Sequence, residues 1–338
     1  MKILQNPSLK SYNTFHLPVH AREMVILESK TDLQEIFNIY SFDNVNYLVL
    51  GEGSNILFTQ DFDGLIISSS MDQIKILKED DQYTWLEVDA GLNWHSLVEK
   101  TIGMGLQGLE NLSLIPGKVG AAPIQNIGAY GVEIETFMES VKAIDLSTQQ
   151  EINFSKKECE FGYRTSIFKT TYKNQFIIHS IVLRLNKIPD YNISYENIRE
   201  TLEILNLKEL TASTISKAVI YIRKNKLPDP DIMGNAGSFF KNPIVDKMYY
   251  DGLKTEFPGI KGYEAGPNLV KIPAAWLIEN CGWKGKRYKN AGVHDDQPLV
   301  LVNHGNASGI DILELSRDIQ KSISDTFGII LENEVYVI

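Results

Sequence analysis

The sequence predicts a protein of mixed helices and strands, in an α/β or α+β arrangement, with two or three domains. Patterns typical of strands and of helices alternate along the chain. The 338 residues are more than one compact core usually holds. The hydrophobic fraction of 43% is that of an ordinary globular protein, and it is enough for a large core.

The N-terminal part of the chain alternates between predicted strands and helices. Residues 23–28 are predicted to form a strand, and Thr31-Asp-Leu-Gln34 resembles a capping box that opens a helix through about Tyr40. Further elements are strands at 46–50, 65–69 and 84–89 and a helix at 93–102. These elements lead the chain into its most glycine-rich stretch.

The middle of the chain is predicted to form a hairpin, a long strand and two helices. The hairpin covers residues 140–154 and the strand covers 176–185. The helices cover 195–205 and 213–223, the second with an apolar face. Two closely spaced prolines in Lys226-Leu-Pro-Asp-Pro230 end that helix, so we expect a domain boundary there.

The remaining chain is predicted to form a third domain. A helix is expected near residues 273–281, a strand at 298–303 and a long helix at 309–327, with Gly328 as its C-terminal stop. Residues 329–338 show the alternation of a strand. One face of such a strand carries Glu332, Glu334 and Tyr336.

Composition and charge disfavour several classes of protein. The formal net charge of -10 disfavours a nucleic-acid surface, because such surfaces neutralise phosphates with Lys and Arg. Cys159 and Cys281 lie far apart without metal-ligand spacing, so neither a disulfide framework nor a metal site is expected. No apolar run is long enough to span a bilayer, and the N-terminal residues lack the apolar segment of a signal peptide. We therefore expect a cytoplasmic protein that binds neither nucleic acid nor membranes.

Residues 116–131 are a candidate cofactor cradle. Their glycines can adopt positive φ and turn backbone N–H groups towards a pyrophosphate. A tight buried crossover between strands explains the same composition equally well. Gly51-Glu-Gly-Ser-Asn55 lies at a predicted strand-to-turn junction and is a second candidate phosphate loop.

Two other patterns are weaker signals. Gly103-Met-Gly-Leu-Gln-Gly108 matches the GxGxxG fingerprint of Rossmann folds, but it follows a predicted helix, whereas the fingerprint requires a preceding strand. The basic run Lys284-Gly-Lys-Arg-Tyr-Lys289 is expected to be a solvated loop, with a nucleotide phosphate contact as the alternative.

Three side chains are candidates for chemistry, and each also has a structural explanation. Arg164 lies among aromatic residues and is suited to bidentate binding of a carboxylate, or else it stacks on Tyr163 at the surface. Ser238 lacks a GxSxG context, so a proton donor is a better functional reading than a nucleophile, and a turn serine is the structural one. Glu334 taken singly is an exposed strand carboxylate.

The order of these motifs closely resembles that of the UDP-N-acetylenolpyruvoylglucosamine reductases, the flavoenzymes that finish UDP-N-acetylmuramic acid for bacterial peptidoglycan. The resemblance covers nearly the whole chain and rests on residues 51–55, 116–131, 161–168, 226–230, 234–243 and 331–335. Ile193-Ser-Tyr-Glu-Asn197 resembles the tyrosine-bearing loop of the family's type I branch. Glu332-Asn-Glu334 replaces the more familiar Glu-Pro-Glu, a departure that does not touch the expected chemistry.

The resemblance implies an α+β fold of the vanillyl-alcohol-oxidase (PCMH) type. Such a fold has two α+β FAD-binding subdomains, followed here by a C-terminal α+β substrate domain. The implied limits are residues 1–71, completed by the terminal strand at 329–338, then 72–225 for the second subdomain and 226–328 for the substrate domain.

The resemblance also implies FAD as the bound cofactor and NADPH as the reductant. The two glycine-rich loops would hold FAD. The implied residues are Gly51, Glu52, Gly53, Ser54, Asn55, Pro116, Gly117, Gly120, Ala121, Ala122, Gln125, Asn126, Gly128, Ala129, Tyr130 and Gly131.

The implied substrate is UDP-N-acetylglucosamine enolpyruvate. Its binding residues would be Tyr195, Arg223, Lys226 and Asn242, with Tyr195 closing over it and the two cations facing phosphate. Arg164 would stabilise the negative charge that forms when hydride reaches the terminal methylene. Ser238 would protonate the adjoining carbon, and Glu334 would assist.

Two other functions remain open at this point. An FAD oxidase of the same fold would act on an alcohol or sugar and return electrons to oxygen. A catalytically silent nucleotide-sugar binding protein would keep the fold without the chemistry. The joint presence of Arg164, Ser238 and Glu334 speaks against the silent protein.

Overall fold

The computed structural model describes the backbone of residues 1–338 and every side chain except that of residue 196. The strands are β1 (Lys2–Gln5), β2 (Ala21–Leu27), β3 (Tyr47–Val49), β4 (Ile56–Leu57), β5 (Phe62–Ser69), β6 (Ile74–Glu79), β7 (Tyr83–Asp89), β8 (Gly128–Ala129), β9 (Val132–Glu133), β10 (Met138–Asp145), β11 (Glu151–Ser155), β12 (Phe176–Asn186), β13 (Gly234–Ser238), β14 (Ile244–Asp246), β15 (Tyr263–Glu264), β16 (Leu269–Lys271), β17 (Arg287–Tyr288), β18 (Ala291–Val293), β19 (Val300–Asn303) and β20 (Tyr336–Val337). The helices are α1 (Asp32–Ile39), α2 (Trp94–Gly103), α3 (Glu196–Ile204), α4 (Ala212–Lys226), α5 (Lys247–Glu256), α6 (Ala274–Asn280) and α7 (Gly309–Phe327).

The chain forms two compact units. The first comprises residues 1–7, 20–52 and 63–225, and the second comprises residues 8–19, 53–62 and 226–338. The three-part division with limits at residues 72 and 226 stays a prediction.

The first unit contains an antiparallel sheet of order β11-β10-β12-β7-β6 and a smaller sheet of order β1-β2-β5-β3. Strand β12 is central in the larger sheet, and its β-branched residues are almost all buried. Helix α2 covers this sheet with Trp94, Leu97 and Val98, which belong to the same core. Helix α1 packs Leu33 and Ile36 into a second core.

The second unit has a sheet of order β13-β19-β18-β17, a smaller sheet of order β14-β16-β15 and a parallel pair of β4 with β20. Helix α7 covers its core with a stripe at helical spacing, formed by Ile312, Leu315, Ile319, Ile323 and Phe327. A capping box of Ser308 and Asp311 starts α7, and Gly328 ends it with a φ of 63°. The sequence prediction for this helix is confirmed.

The structure confirms most other predicted elements but corrects four details. The hairpin over residues 140–154 is present as β10 and β11, and Gly103 ends α2, so the GxGxxG match indeed follows a helix. The capping side chain of α1 is not Thr31. Instead, Ser29 Oγ donates to Asp32 and accepts from its N–H.

The other corrections concern β6, α5 and the C-terminus. The sequence analysis did not predict strand β6, because most of its residues are exposed and charged residues interrupt the alternation of apolar and polar residues. It did not predict helix α5 either, because Gly252 and two tyrosines weaken the helical propensity of that segment. Residues 329–338 are not one strand, because the pairing partner β4 has only two residues and only Tyr336–Val337 pair with it.

Candidate active site

Glu52 joins the two glycine-rich loops within the first unit. Its Oε1 accepts a hydrogen bond from Nδ2 of Asn93 at 2.9 Å, and its Oε2 accepts one from the backbone N–H of Gly117 at 3.0 Å. Asn93 also caps α2 by accepting from the N–H of Ser96. The Glu52 side chain and the Gly117 N–H, both predicted to face a cofactor, are thus engaged in ordering the loops themselves.

The second loop packs through its smallest residues. The N–H of Gly120 donates to the carbonyl oxygen of Ala90 at 2.9 Å, and a Cβ on Gly120 would lie 2.6 Å from Cβ of Ala90. A Cβ on Gly51 would lie 3.5 Å from Cβ of Ala121, an ordinary contact. The small residues therefore allow the two loops and Ala90 to pack closely together, which brings the backbone of both loops to one place.

Lys118 adds a positive charge to this loop, and the sequence analysis missed it. Its Nζ donates to the carbonyl oxygen of Ser69 at 2.6 Å. Burial lowers the pKa of the Lys118 amine, while the charge of Glu52 acts in the opposite direction. A lysine inside a glycine-rich stretch is the sequence signal that would have pointed to it.

Some of the other predicted cofactor residues in this loop are exposed, and others are buried or hydrogen-bonded within the protein. Pro116 and Ala121 are exposed, whereas Ala122 belongs to the core. Gln125 accepts a hydrogen bond from Lys169 at 3.3 Å. Asn126 is fully buried, and its side chain binds Glu133 Oε2, the carbonyl of Gly162 and the N–H of Glu135.

Arg164 lies beside the end of the cradle. It has a left-handed φ of 55°, in a turn closed by reciprocal backbone hydrogen bonds between Gly162 and Thr165. Its Nη2 donates to the carbonyl oxygen of Gly128 at 2.8 Å, and its guanidinium carbon lies 5.7 Å from the ring centre of Tyr163. The guanidinium is therefore half-buried against the cradle as well as near Tyr163.

Two predicted substrate residues, Tyr195 and Arg223, meet at Tyr130. The rings of Tyr130 and Tyr195 stand edge to face with centres 5.4 Å apart. Tyr130 also hydrogen-bonds Arg223, whose Nε donates to the carbonyl of Leu114 at 3.2 Å. Burial lowers the pKa of Arg223 and raises that of Tyr130, and the charge of Arg223 opposes the second shift. Tyr130, predicted to contact the cofactor, thus contacts residues predicted to bind the substrate.

Residues 53–55 of the first glycine-rich loop belong to the second unit, where they support the C-terminal segment. Gly53 has a φ of 64°, and a Cβ there would collide with the carbonyl of Tyr12 and lie 2.8 Å from Cα of Asn13. Asn55 Nδ2 donates to the carbonyl of Glu334 at 3.2 Å, and the Asn55 carbonyl accepts from the N–H of Tyr336 at 3.0 Å. The side chain of Ser54, which lies between Gly53 and Asn55 in the sequence, is half-buried.

Ser238 and Glu334 lie on neighbouring segments of the second unit. Ser238 ends β13 opposite Val300. The N–H of Glu334 donates to the carbonyl of Phe239, the residue after Ser238, at 2.8 Å. Both residues are half-buried, and the hydrogen bond places Glu334 across from the residue that follows Ser238 in the chain.

The remaining predicted substrate residues are in different surroundings. Asn242 Oδ1 accepts from the N–H of Ala274 at the start of α6. Lys226 is the last residue of α4 and is exposed.

The basic run at 284–289 has structural partners. Lys284 pairs with Glu279 at 2.9 Å, and Lys289 pairs with Asp311 and Glu314 at 2.9 and 3.0 Å. Lys286 Nζ lies 4.2 Å from the ring centre of Trp283. The lysines of the run thus pair with residues of α6 and α7, while the run itself stays exposed apart from the half-buried Tyr288, as expected of a solvated segment.

Comparisons with known proteins agree over the whole chain. A model of the FAD binding domain matches residues 21–150, and a model of the UDP-N-acetylenolpyruvoylglucosamine reductase C-terminal domain matches residues 229–338. The reductase of Amoebophilus asiaticus is 47% identical, and that of Flavobacterium johnsoniae 48%, each over all of both chains. The chain belongs to the UDP-N-acetylenolpyruvoylglucosamine reductase family.

A solved structure of the same family also matches. The UDP-N-acetylenolpyruvylglucosamine reductase of Thermus caldophilus is 25% identical, with a TM-score of 0.68, over 99% of this chain and 98% of that one. Family membership confirms the predicted α+β FAD-binding fold with a C-terminal reductase domain, and it confirms FAD as the cofactor. Among the described residues, no helix has the length and apolar character needed to cross a membrane.

Proposed function

We propose that the chain uses NADPH to reduce UDP-N-acetylglucosamine enolpyruvate to UDP-N-acetylmuramate for peptidoglycan precursor synthesis, in the cytoplasm and with small molecules as its partners. One observation carries the proposal. In a chain that matches its relatives end to end, Ser238 and Glu334 lie on hydrogen-bonded neighbouring segments of the unit that holds the reductase C-terminal domain.

The residues of the two loops fit FAD. Gly51, Gly120 and Ala121 let the loops pack closely, the carboxylate of Glu52 is engaged by two N–H donors, and the charge of Lys118 acts against that of Glu52. Lys118 adds a nearby cation. When bound, FAD supplies the hydride transfer from NADPH to the substrate.

The UDP sugar would be bound by residues at the end of α4 and by Tyr195. Arg223 is held by Tyr130 and by the carbonyl of Leu114, so its guanidinium has a fixed orientation suited to phosphate. Lys226 supplies a second, exposed cation. Tyr195 packs against Tyr130 and would contact the substrate with its exposed ring.

Arg164 would stabilise charge on the reacting group. Adding hydride to the terminal methylene converts the C=C bond into a single bond and leaves an electron pair shared by the adjoining carbon and its carboxylate. A guanidinium held by the Gly128 carbonyl is preorganised for that anion. Such preorganised donors are typically worth about 10²- to 10³-fold in rate.

Ser238 would complete the addition. Its Oγ proton goes to the adjoining carbon, forming the second new C–H bond, and the serine regains a proton from solvent. Serine is a weak acid, so it serves only because the carbon it protonates is strongly basic. Glu334 would orient the substrate anion or Ser238 from the neighbouring segment.

The test follows the flavin absorbance of the FAD-loaded protein in the absence of oxygen. NADPH should bleach it, and UDP-N-acetylglucosamine enolpyruvate should restore it, with a product that has gained two hydrogen atoms. Bleaching by an alcohol or sugar and recovery only with oxygen would identify an oxidase. Substrate binding without any bleaching by NADPH would identify a silent binding protein.

A further inference from the structure

A tight hairpin in the first unit ends at Tyr130 and Gly131. Strands β8 and β9 pair in a register that sets Ala129 opposite Val132, so Tyr130 and Gly131 form the turn between the strands. Their φ values are 50° and 80°, both left-handed, as in a type I′ turn. The carbonyl oxygens of the two turn residues lie outside the strand ladder and therefore need other donors.

Two asparagine side chains supply these donors, and we refer to Asn111 and Asn192 as the amide latch. Asn111 is 1% exposed, and its Nδ2 donates both to the carbonyl of Tyr130 at 3.0 Å and to the carbonyl of Asn192 at 2.8 Å. Asn192 Nδ2 donates to the carbonyl of Gly131 at 3.0 Å. The turn is thus bonded to a segment that lies 61 residues further along the chain.

The latched segment leads directly to Tyr195. Asn192 Oδ1 accepts from both the N–H and the Oγ of Ser194, at 3.1 and 2.7 Å, which shapes the backbone just before Tyr195. Arg199 adds one more bond, from its Nε to the carbonyl of Ile193 at 3.2 Å. The edge-to-face contact of Tyr195 with Tyr130 then completes the connection.

Apolar packing holds one side of this segment, because Tyr191 and Ile193 pack, like Tyr130, against the core of α3 and α4. The residues that line a cavity of about 660 Å³ include Asn111, Gly131 and residues 190–194. On the side of this cavity the segment faces open space. Directed hydrogen bonds to the turn therefore fix the segment in addition to the apolar contacts of Tyr191 and Ile193.

We propose that Asn111 and Asn192 are positioning residues that couple the cofactor-side hairpin to the segment carrying Tyr195. The proposal rests on the proposed function, because it takes Tyr195 as a contact of the UDP sugar. Neither asparagine touches the reacting atoms. Through the latch, an ordered hairpin also orders the segment that receives the substrate, so the latch raises substrate affinity without taking part in hydride transfer.

The test compares Asn111→Asp and Asn192→Ala with the wild type, all loaded with FAD. Asn111→Asp keeps the shape but sets an acceptor against two carbonyls. Asn280→Asp is the matched control, since Asn280 is an exposed asparagine that likewise donates to a carbonyl, that of Trp276. Chymotrypsin cleavage after Tyr191 or Tyr195 reports opening of the segment and needs no substrate.

Each lost amide–carbonyl bond shifts an opening equilibrium by about threefold to tenfold. Asn111→Asp, which loses two such bonds, should therefore be cleaved at least about tenfold faster than the wild type, and Asn192→Ala, which loses one, about threefold to tenfold faster. Their KM for UDP-N-acetylglucosamine enolpyruvate should rise by a similar factor, while FAD content and the rate of bleaching by NADPH stay within about twofold. Asn280→Asp should match the wild type throughout.

Unchanged cleavage and unchanged KM in both variants would overturn the latch, as would equal slowing of bleaching and recovery. Loss of FAD from both would also overturn it, by assigning the asparagines to the cofactor site. If the wild type lacks reductase activity yet the variants still open faster, the proposed function fails while the mechanical link between hairpin and segment stands.

Discussion

Nη2 of Arg164 donates a hydrogen bond of 2.8 Å to the carbonyl oxygen of Gly128. The same glycine has no room for a side chain, because a Cβ there would lie 3.2 Å from Nη1 of Arg164 and 2.8 Å from Cγ of Glu133. One position in the cradle therefore shapes the predicted cofactor surface and holds the predicted catalytic cation.

Gly128→Val should accordingly disturb two functions at once. The branched side chain must displace Glu133, Arg164 or the hairpin backbone, so the purified protein should be nearly colourless. Gly103→Val is the control, since a Cβ on Gly103 meets no atom within 4 Å. Flavin absorbance relative to protein absorbance is the measurement. Stoichiometric FAD in the Gly128→Val protein would remove Gly128 from the cradle.

The parts of this picture that the sequence predicted are those with local signals. Helix α7 has its stop signal at Gly328 and a regular apolar stripe, so its limits were predicted correctly. The glycine-rich composition of residues 116–131 likewise marked the cradle. Both signals depend only on the residues within the element itself.

The missed parts depend on contacts between distant residues. Asn111 reaches carbonyls 19 and 81 residues away, and nothing in its own surroundings reveals that. The alternation in residues 329–338 predicted a long strand, but the length of a strand is set by its partner, which here ends at Leu57. Lys289 lies in the exposed basic run that the sequence predicted, but its ion pairs with Asp311 and Glu314 of α7 could not be predicted from the run itself.

Lys226→Ala should weaken binding of the UDP sugar without loss of FAD. Removing one phosphate partner should cost about 1.5 to 3 kcal/mol, equivalent to at least about a tenfold rise in the dissociation constant.

Tyr195→Phe, which loses only a hydroxyl, should raise the same dissociation constant by less. Titration of the flavin spectrum with the substrate gives both constants. Lys224→Ala removes an exposed lysine from α4, the helix of Lys226, and should leave them unchanged. Wild-type affinity in both site variants would exclude these residues from the site.

Glu87 should make the stability of the protein depend on acid pH. It is a buried carboxylate with Lys142 at 3.0 Å and Lys30 at 3.2 Å. Burial alone would raise the pKa of Glu87, but the two lysines lower it to about 2, from an ordinary value of 4.5. Because the folded pKa lies below the unfolded one, the stabilisation is present above about pH 4.5 and is lost as pH falls towards about 2.

Glu87→Gln should therefore unfold at lower urea than the wild type at pH 7, and this difference should shrink as pH falls through that window. Tryptophan fluorescence at a series of pH values measures it. Glu139→Gln, an exposed carboxylate on β10 of the same sheet, should show no pH-dependent difference. A difference for Glu87→Gln that is constant down to about pH 2 would mean that its charge contributes nothing through the lysines.

Ser238 donates a proton in only one of the two half-reactions that we propose, the one in which the substrate is reduced. Bleaching by NADPH requires no acid at the substrate carbon, so Ser238→Ala should bleach at a near-normal rate. Recovery of the absorbance with UDP-N-acetylglucosamine enolpyruvate should slow by about 10²- to 10⁴-fold, equivalent to about 3 to 5 kcal/mol of barrier. Ser238→Cys should regain part of that loss, because a thiol is more acidic than a hydroxyl and still donates a proton.

Stopped-flow traces of the two half-reactions decide the matter, and the bleaching step serves as the internal control for folding and cofactor binding. Equal slowing of both steps would show that Ser238 acts through the structure of β13, and a normal recovery step would mean that the proton comes from another group.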